Sequence, residues 1–183
     1  MPTMHEVDMT AALAILKSLH SKTLPIPHIQ QPGDSVCWAT CMAMVGAWNN
    51  DGVKFCDYVQ RQSPQCGDCD QRCKGKSCDA PRLPDYIKTD WKHFNYSNTV
   101  EIKGVLSFAG IRDWLKEGKP VQAYFQHYNA RSAHVVLIIG AEKNDEMDDM
   151  LVISDPLKDK PVLISSLKIG DWGGWQRSWV IGR

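Results

Sequence analysis

The sequence predicts an α+β fold in which a helical half precedes and packs on an antiparallel sheet half. Two observations carry this expectation. Apolar residues fall at helical spacing over 9–20, 35–48 and 107–117. From Pro120 onward the texture changes to short runs rich in β-branched and aromatic residues, separated by polar turns. A third observation bounds the answer: 183 residues with no internal repeat and no long linker fit one domain, 1–183, with a single sizeable core.

Met9 to His20 places Leu13, Leu16 and Leu19 on one side of a short amphipathic helix. Leu24-Pro-Ile-Pro-His28 is held extended by its prolines, so residues 1–30 read as a helix followed by an extended segment. Gly33-Asp34-Ser35 then makes a turn, with Ser35 expected as helix cap. From Ser35 to Trp48 apolar residues run nearly all round, which predicts a buried central helix. Ser107 to Glu117 is a second such helix, with Ser107 as cap and Gly118 as stop. Strands are expected at Pro120–Gln126, Ala133–Gly140, Leu151–Ser154 and Trp175–Ile181.

Hydrophobic residues make up 43% and charged residues 23%, a globular composition. Twenty-one basic and 21 acidic side chains cancel, which gives a nucleic-acid partner or a polybasic membrane contact no support. No run reaches the roughly 18 apolar residues of a membrane span. Met1 to Asp8 lacks the basic and apolar parts of a secretory signal. The expectation is export by a signal-peptide-independent route, with the cytoplasm as the alternative, and no membrane insertion.

Five of seven cysteines crowd into residues 56–80, a segment otherwise made of charged and small polar residues. It reads as a stapled surface insertion with little to build a core. Cys66, Cys69, Cys73 and Cys78 are four sulfurs, the number a structural zinc takes, but their spacing is tighter than ordinary knuckle pairs. Disulfides are the preferred reading, with Cys41 joining the five to make an even set. One economical scheme links Cys41 to Cys56 and pairs the other four among themselves.

Cys37 stands just inside the central helix, where the helix dipole and unpaired N–H groups favour a thiolate, the reactive form of cysteine. Gln31 lies six residues upstream, across the turn. Its amide can share one developing oxyanion with the backbone N–H of Cys37. The partner base is His134, which opens the apolar run Val135 to Ile139. The next strand ends in Asp155-Pro156. A hairpin turning within the polar segment Glu142–Asp149 can set residues 134 and 155 directly opposite, with Cβ atoms about 4.5–5.5 Å apart. Asp155 then fixes the tautomer of His134. His28 is near enough to Gln31 to line a cleft, while His93 and His127 look incidental. Trp172, Trp175 and Trp179 read as core and cleft wall.

The string Gln31-Pro-Gly-Asp-Ser-Val-Cys37-Trp38-Ala39 resembles the active-site signature of papain-like cysteine peptidases. His134 before an apolar strand, and Asp155-Pro156 after the next, are similar to two bacterial groups of that family. These are the leader-peptide-processing domains of bacteriocin exporters and the secreted effector proteases of plant pathogens. Cys41, four residues after Cys37, resembles the exporter domains as well. The resemblance implies a papain-like fold and a cysteine protease working through Cys37, His134 and Asp155, with Gln31 in the oxyanion hole. It implies no cofactor and a protein or peptide substrate. It also implies that one of the tryptophans shields the His–carboxylate pair, and it suggests an effector or toxin, with a cognate immunity protein as partner. The larger papain enzymes use asparagine where this chain has Asp155; the orienting role is the same. An amidase acting on peptidoglycan, or a glutamine deamidase or transglutaminase, would use the same residues. A silent papain-like binding module is the non-enzymatic alternative. Cys56 to Asn98 resembles nothing familiar.

Overall fold

The computed structural model describes residues 22–67, 78–126 and 133–183. The expected helix over 9–20, His127, Cys69 and Cys73 lie outside them. Helix α1 (Cys37–Asn49) is buried at every position from Cys37 to Gly46, as a helix apolar all round demands. It begins later than the turn suggests. Val36 occupies the cap position, and no side chain there makes a cap hydrogen bond. Ser35 is therefore not the cap: its own backbone N–H is held by a carboxylate from elsewhere in the chain. The helix ends at Asn50, in the left-handed conformation at φ 51°, whose N–H reaches back to the Ala47 and Gly46 carbonyls.

Two further helices, α2 (Phe55–Gln60) and α3 (Pro84–His93), fall where the sequence offered little pattern. They form because Tyr58, Val59, Ile87 and Trp91 have a core to enter. Helix α4 (Phe108–Lys116) matches its expectation: the Ser107 hydroxyl accepts from the Gly110 N–H, and Gly118 leaves the helix at φ 75°.

The strands are β1 (Lys22–Thr23), β2 (Val100–Lys103), β3 (Val121–Gln126), β4 (Ala133–Lys143), β5 (Asp149–Ser154), β6 (Val162–Ser165) and β7 (Gly174–Val180). All seven form one antiparallel sheet of order β2-β7-β3-β4-β5-β6, with β1 pairing β4. Helix α1 lies against β4, and α4 lies against β4 and β3. The architecture is α+β, with a helical part packed on an antiparallel sheet.

A buried polar joint ties the two parts behind Cys37. Gln122 on β3 has no exposed surface. Its Oε1 accepts from the Trp91 indole at 2.7 Å, and its Nε2 donates to the Trp38 carbonyl at 3.4 Å. One amide thereby gives the buried Trp91 indole its acceptor and ties α3 to α1 through the Trp38 carbonyl.

The cysteines correct two expectations. Cys66 and Cys78 are joined in a disulfide, and Cys56 is disulfide-bonded too. A zinc tetrad of Cys66, Cys69, Cys73 and Cys78 is thereby overturned, because disulfide sulfurs have no thiolate to give a metal. The Cys41–Cys56 link is also overturned. Cys41 is a free, fully buried thiol directed at the Val135 carbonyl, 3.7 Å away. Nor is the segment purely superficial, since Cys66 and Cys78 both sit in the core.

Strand β4 carries a register shift between Ile138 and Gly140, and there it pairs with β5 on one side and β1 on the other. A Cβ added at Gly140 would lie 2.5 Å from Thr23 Oγ1 and 2.7 Å from Val152 Cγ2. Gly140→Ala is therefore expected to destabilise the protein by about 1–3 kcal/mol through overpacking. Urea unfolding monitored by tryptophan fluorescence checks this; an unchanged midpoint would show that β1 yields without cost.

Candidate active site

Cys37 opens α1 and is 7% exposed, so its thiol reaches the surface only at the helix start. Its neighbours keep it there. Trp38, 1% exposed, donates its indole N–H to the Ala80 carbonyl at 3.2 Å and gives its own carbonyl to Gln122.

His134 and Asp155 meet as expected, though by a different register. The described pairing between β4 and β5 ends at Leu137 opposite Ser154. Continued one step, it sets Asp155 opposite Val136, two residues from His134. A slip of two keeps side chains on the same face, where a slip of one would have separated them. His134 Nε2 meets Asp155 Oδ1 at 2.6 Å. The Cys37 thiol also acts on the His134 ring, and with Nε2 engaged by Asp155, Nδ1 is the ring atom left to face a thiol. Asp155 Oδ1 further accepts the Leu157 N–H at 3.0 Å. Beside them, Phe125, the cross-strand partner of His134, packs on Trp175 with ring centroids 5.4 Å apart.

Gln31 stands on the same side of the turn as expected, but its amide is partly occupied. Its Nε2 donates to the Gly33 carbonyl at 2.5 Å, which uses one of its two N–H bonds. Its Oε1 is buried without a hydrogen-bond partner among the described residues. The Gln31 backbone N–H donates to the Pro156 carbonyl at 2.9 Å, tying this arm to the Asp155 loop. A cavity of about 260 Å³ opens here, lined by Gln30, Gln31, Gly33, Asp34, Pro156 and Leu157.

Sequence reasoning passed over two residues that hold these segments. His28 bridges them: Nδ1 pairs with the Ser154 hydroxyl at 2.7 Å, and Nε2 donates to the Lys158 carbonyl at 2.9 Å. The only signal was its closeness to Gln31. Asp79 accepts the backbone N–H groups of Asp34 at 3.0 Å and Ser35 at 2.6 Å. Nothing in the sequence pointed to it, because a contact across 45 residues leaves no local pattern.

The pair is strongly perturbed. Burial works against a charged His134, yet hydrogen bonds to Asp155 and Cys37, and their charges, raise its pKa to about 9. Burial likewise opposes the Asp155 charge, but the His134 hydrogen bond, the Leu157 N–H and the positive charges of His134 and Lys158 hold it below the usual carboxylate range. Cys41 goes the other way: burial, and then the Cys37 and Asp155 charges, push its thiol well up. One thiol of the helix is thus hydrogen-bonded to an imidazole, while the other stays protonated and inert.

These shifts have a pH window. An unfolded histidine titrates near about 6.5, so the raised His134 value contributes stability in full below that pH and loses it as pH rises through about 9. Asp155 contributes above the ordinary carboxylate value of about 3.9 and loses its contribution as pH falls through its depressed folded value. Both contributions are complete between about pH 4 and 6.5.

A thiol, an imidazole and a carboxylate in hydrogen-bonded sequence, with N–H donors nearby, make a constellation suited to acyl transfer. The model of the Peptidase C39-like family matches residues 23–165, which include all four residues. The chain belongs to that family. As a member of the C39-like family it is similar in fold to the proform of Amb a 11, a cysteine protease and major ragweed pollen allergen. The TM-score is 0.56 at 11% identity over 90% of this chain, and the C39-like chain spans 65% of the length of that structure. No curated protein matches its sequence.

Replacing Asp155 by Asn removes the charge that helps hold the His134 proton in this C39-like chain. The imidazole midpoint is then expected to fall from about 9 by roughly 1–2 pH units. An NMR titration of the ring checks this, and an unmoved midpoint would leave the carboxylate without that role.

Proposed function

We infer that the protein hydrolyses peptide bonds in proteins or peptides through an acyl-enzyme on Cys37. The observation that carries this reading is the 2.6 Å contact of His134 Nε2 with Asp155 Oδ1, with the Cys37 thiol acting on the same ring. The Cys37 thiolate attacks the scissile carbonyl carbon, and the carbonyl oxygen becomes an oxyanion. The Cys37 backbone N–H and the second N–H of the Gln31 amide are its donors. His134, protonated at the pH of the reaction, gives its proton to the leaving amine as the C–N bond breaks. It then takes a proton from the water that attacks the acyl group, and the Cys37 thiolate leaves, which restores the starting pair. Asp155 keeps the ring oriented and stabilises its charge. The substrate chain lies across the helix start, with the cavity beside Gln31 available to one of its flanks.

We place the working protein in an oxidising compartment. The Cys66–Cys78 disulfide and the bonded Cys56 support this, because such bonds do not persist among cytosolic thiols. An effector or toxin role, with a cognate inhibitor in the producing cell, fits the same setting.

Iodoacetamide at about pH 6 alkylates a His-paired thiolate far faster than an ordinary thiol. Intact mass is expected to show one fast adduct on the wild type and none on Cys37→Ala. Incubation with a complex peptide mixture is expected to create new N-termini that Cys37→Ala does not, and Gln31→Ala is expected to lower kcat by about 10²–10³. Glutamine converted to glutamate without new termini would establish deamidation instead. No adduct and no turnover would leave a binding module.

A further inference from the structure

The cysteine-rich segment re-enters the described structure at Cys78, and its next two residues both touch the turn that carries the site. Cys78 is fixed by its disulfide to Cys66 and is buried. Asp79 follows, with its carboxylate on the N–H groups of Asp34 and Ser35. Ala80 comes next, and its carbonyl takes the Trp38 indole. The segment therefore grips the chain on both sides of Cys37.

The grip on Asp34 has a particular consequence. The Asp34 N–H and the Gly33 carbonyl are the two ends of one peptide plane, and that plane is rigid. Asp79 Oδ2 accepts from the N–H end at 3.0 Å, and Gln31 Nε2 donates to the carbonyl end at 2.5 Å. Fixing the plane on one side fixes the hydrogen bond on the other, so the carboxylate of Asp79 sets where the Gln31 amide can point. The two hydrogen bonds polarise the peptide in the same sense and strengthen each other. Helix α1 has no capping side chain of its own, which leaves this turn dependent on the borrowed carboxylate.

We propose that Asp79 is a positioning residue of the oxyanion hole, acting through the Gly33–Asp34 peptide to aim the Gln31 amide. The inference rests on the reading of Gln31 and Cys37 given above. Asp79 never touches substrate; it makes the amide's second N–H available at one place instead of many. Its contribution falls on steps that develop an oxyanion and spares those that do not, because misplacing a donor by about 1 Å can cost up to about 10²-fold.

Two reagents separate these cases at the same sulfur. p-Nitrophenyl acetate acylates Cys37 through a tetrahedral oxyanion: the S–C bond forms, the C–O bond breaks, and p-nitrophenolate leaves. Iodoacetamide alkylates it by direct displacement of iodide, with no oxyanion. In Asp79→Ala, acylation is expected to slow by about tenfold or more while alkylation stays within about twofold of wild type. Asp79→Asn keeps one acceptor oxygen and is expected to recover part of the acylation rate. Equal acylation by Asp79→Ala and wild type would overturn the proposal and leave the peptidase reading standing. A parallel fall in both rates would also overturn it, since that marks general loosening of the fold. A wild type that neither reagent modifies at Cys37 would overturn both.

Discussion

Helix α1 has no face that it can leave in water, and this constraint organises what surrounds it. Ten consecutive residues from Cys37 to Gly46 are buried, so strand β4, helix α2 and the ends of the cysteine-rich segment must all close over them. Burying a helix also buries its termini, whose backbone groups need partners. At the C-terminal end Asn50 supplies them locally. At the N-terminal end the turn before the helix and Trp38 draw on distant segments: Asp79 takes the Asp34 and Ser35 N–H groups, Gln122 donates to the Trp38 carbonyl, and Ala80 accepts the Trp38 indole. The place where a thiol can be reached from solvent is thus the place where distant segments must converge.

This division explains what the sequence disclosed. Apolar helical spacing marked α1 and α4, and runs of β-branched and aromatic residues marked β3, β4, β5 and β7, because those elements supply most of the core. Gln31, Cys37, His134 and Asp155 were legible as residue types in a particular order. Helices α2 and α3 were not, since short helices with few apolar residues owe their existence to the core they dock against. His28 and Asp79 were invisible for a different reason: each works through hydrogen bonds to chain segments 44 or more residues away.

The His134–Asp155 pair shows how a wrong register can still give the right partners. The expected hairpin put the two residues opposite each other, whereas the observed pairing is offset by two. Pleating makes such an error harmless to facing, and the chain leaving β5 after Ser154 brings the carboxylate back to the ring. The 2.6 Å contact depends on that departure and on the Leu157 N–H that anchors it, more than on strand pairing.

The order of these residues along the chain also has a meaning in time. Cys37 belongs to the first helix described, while His134 on β4 and Asp155 just after β5 come nearly a hundred or more residues later. Translation at about 5–20 residues per second delivers the thiol seconds ahead of its base and its orienting carboxylate. Until β4 and β5 have emerged and docked, a nascent chain carries an ordinary cysteine.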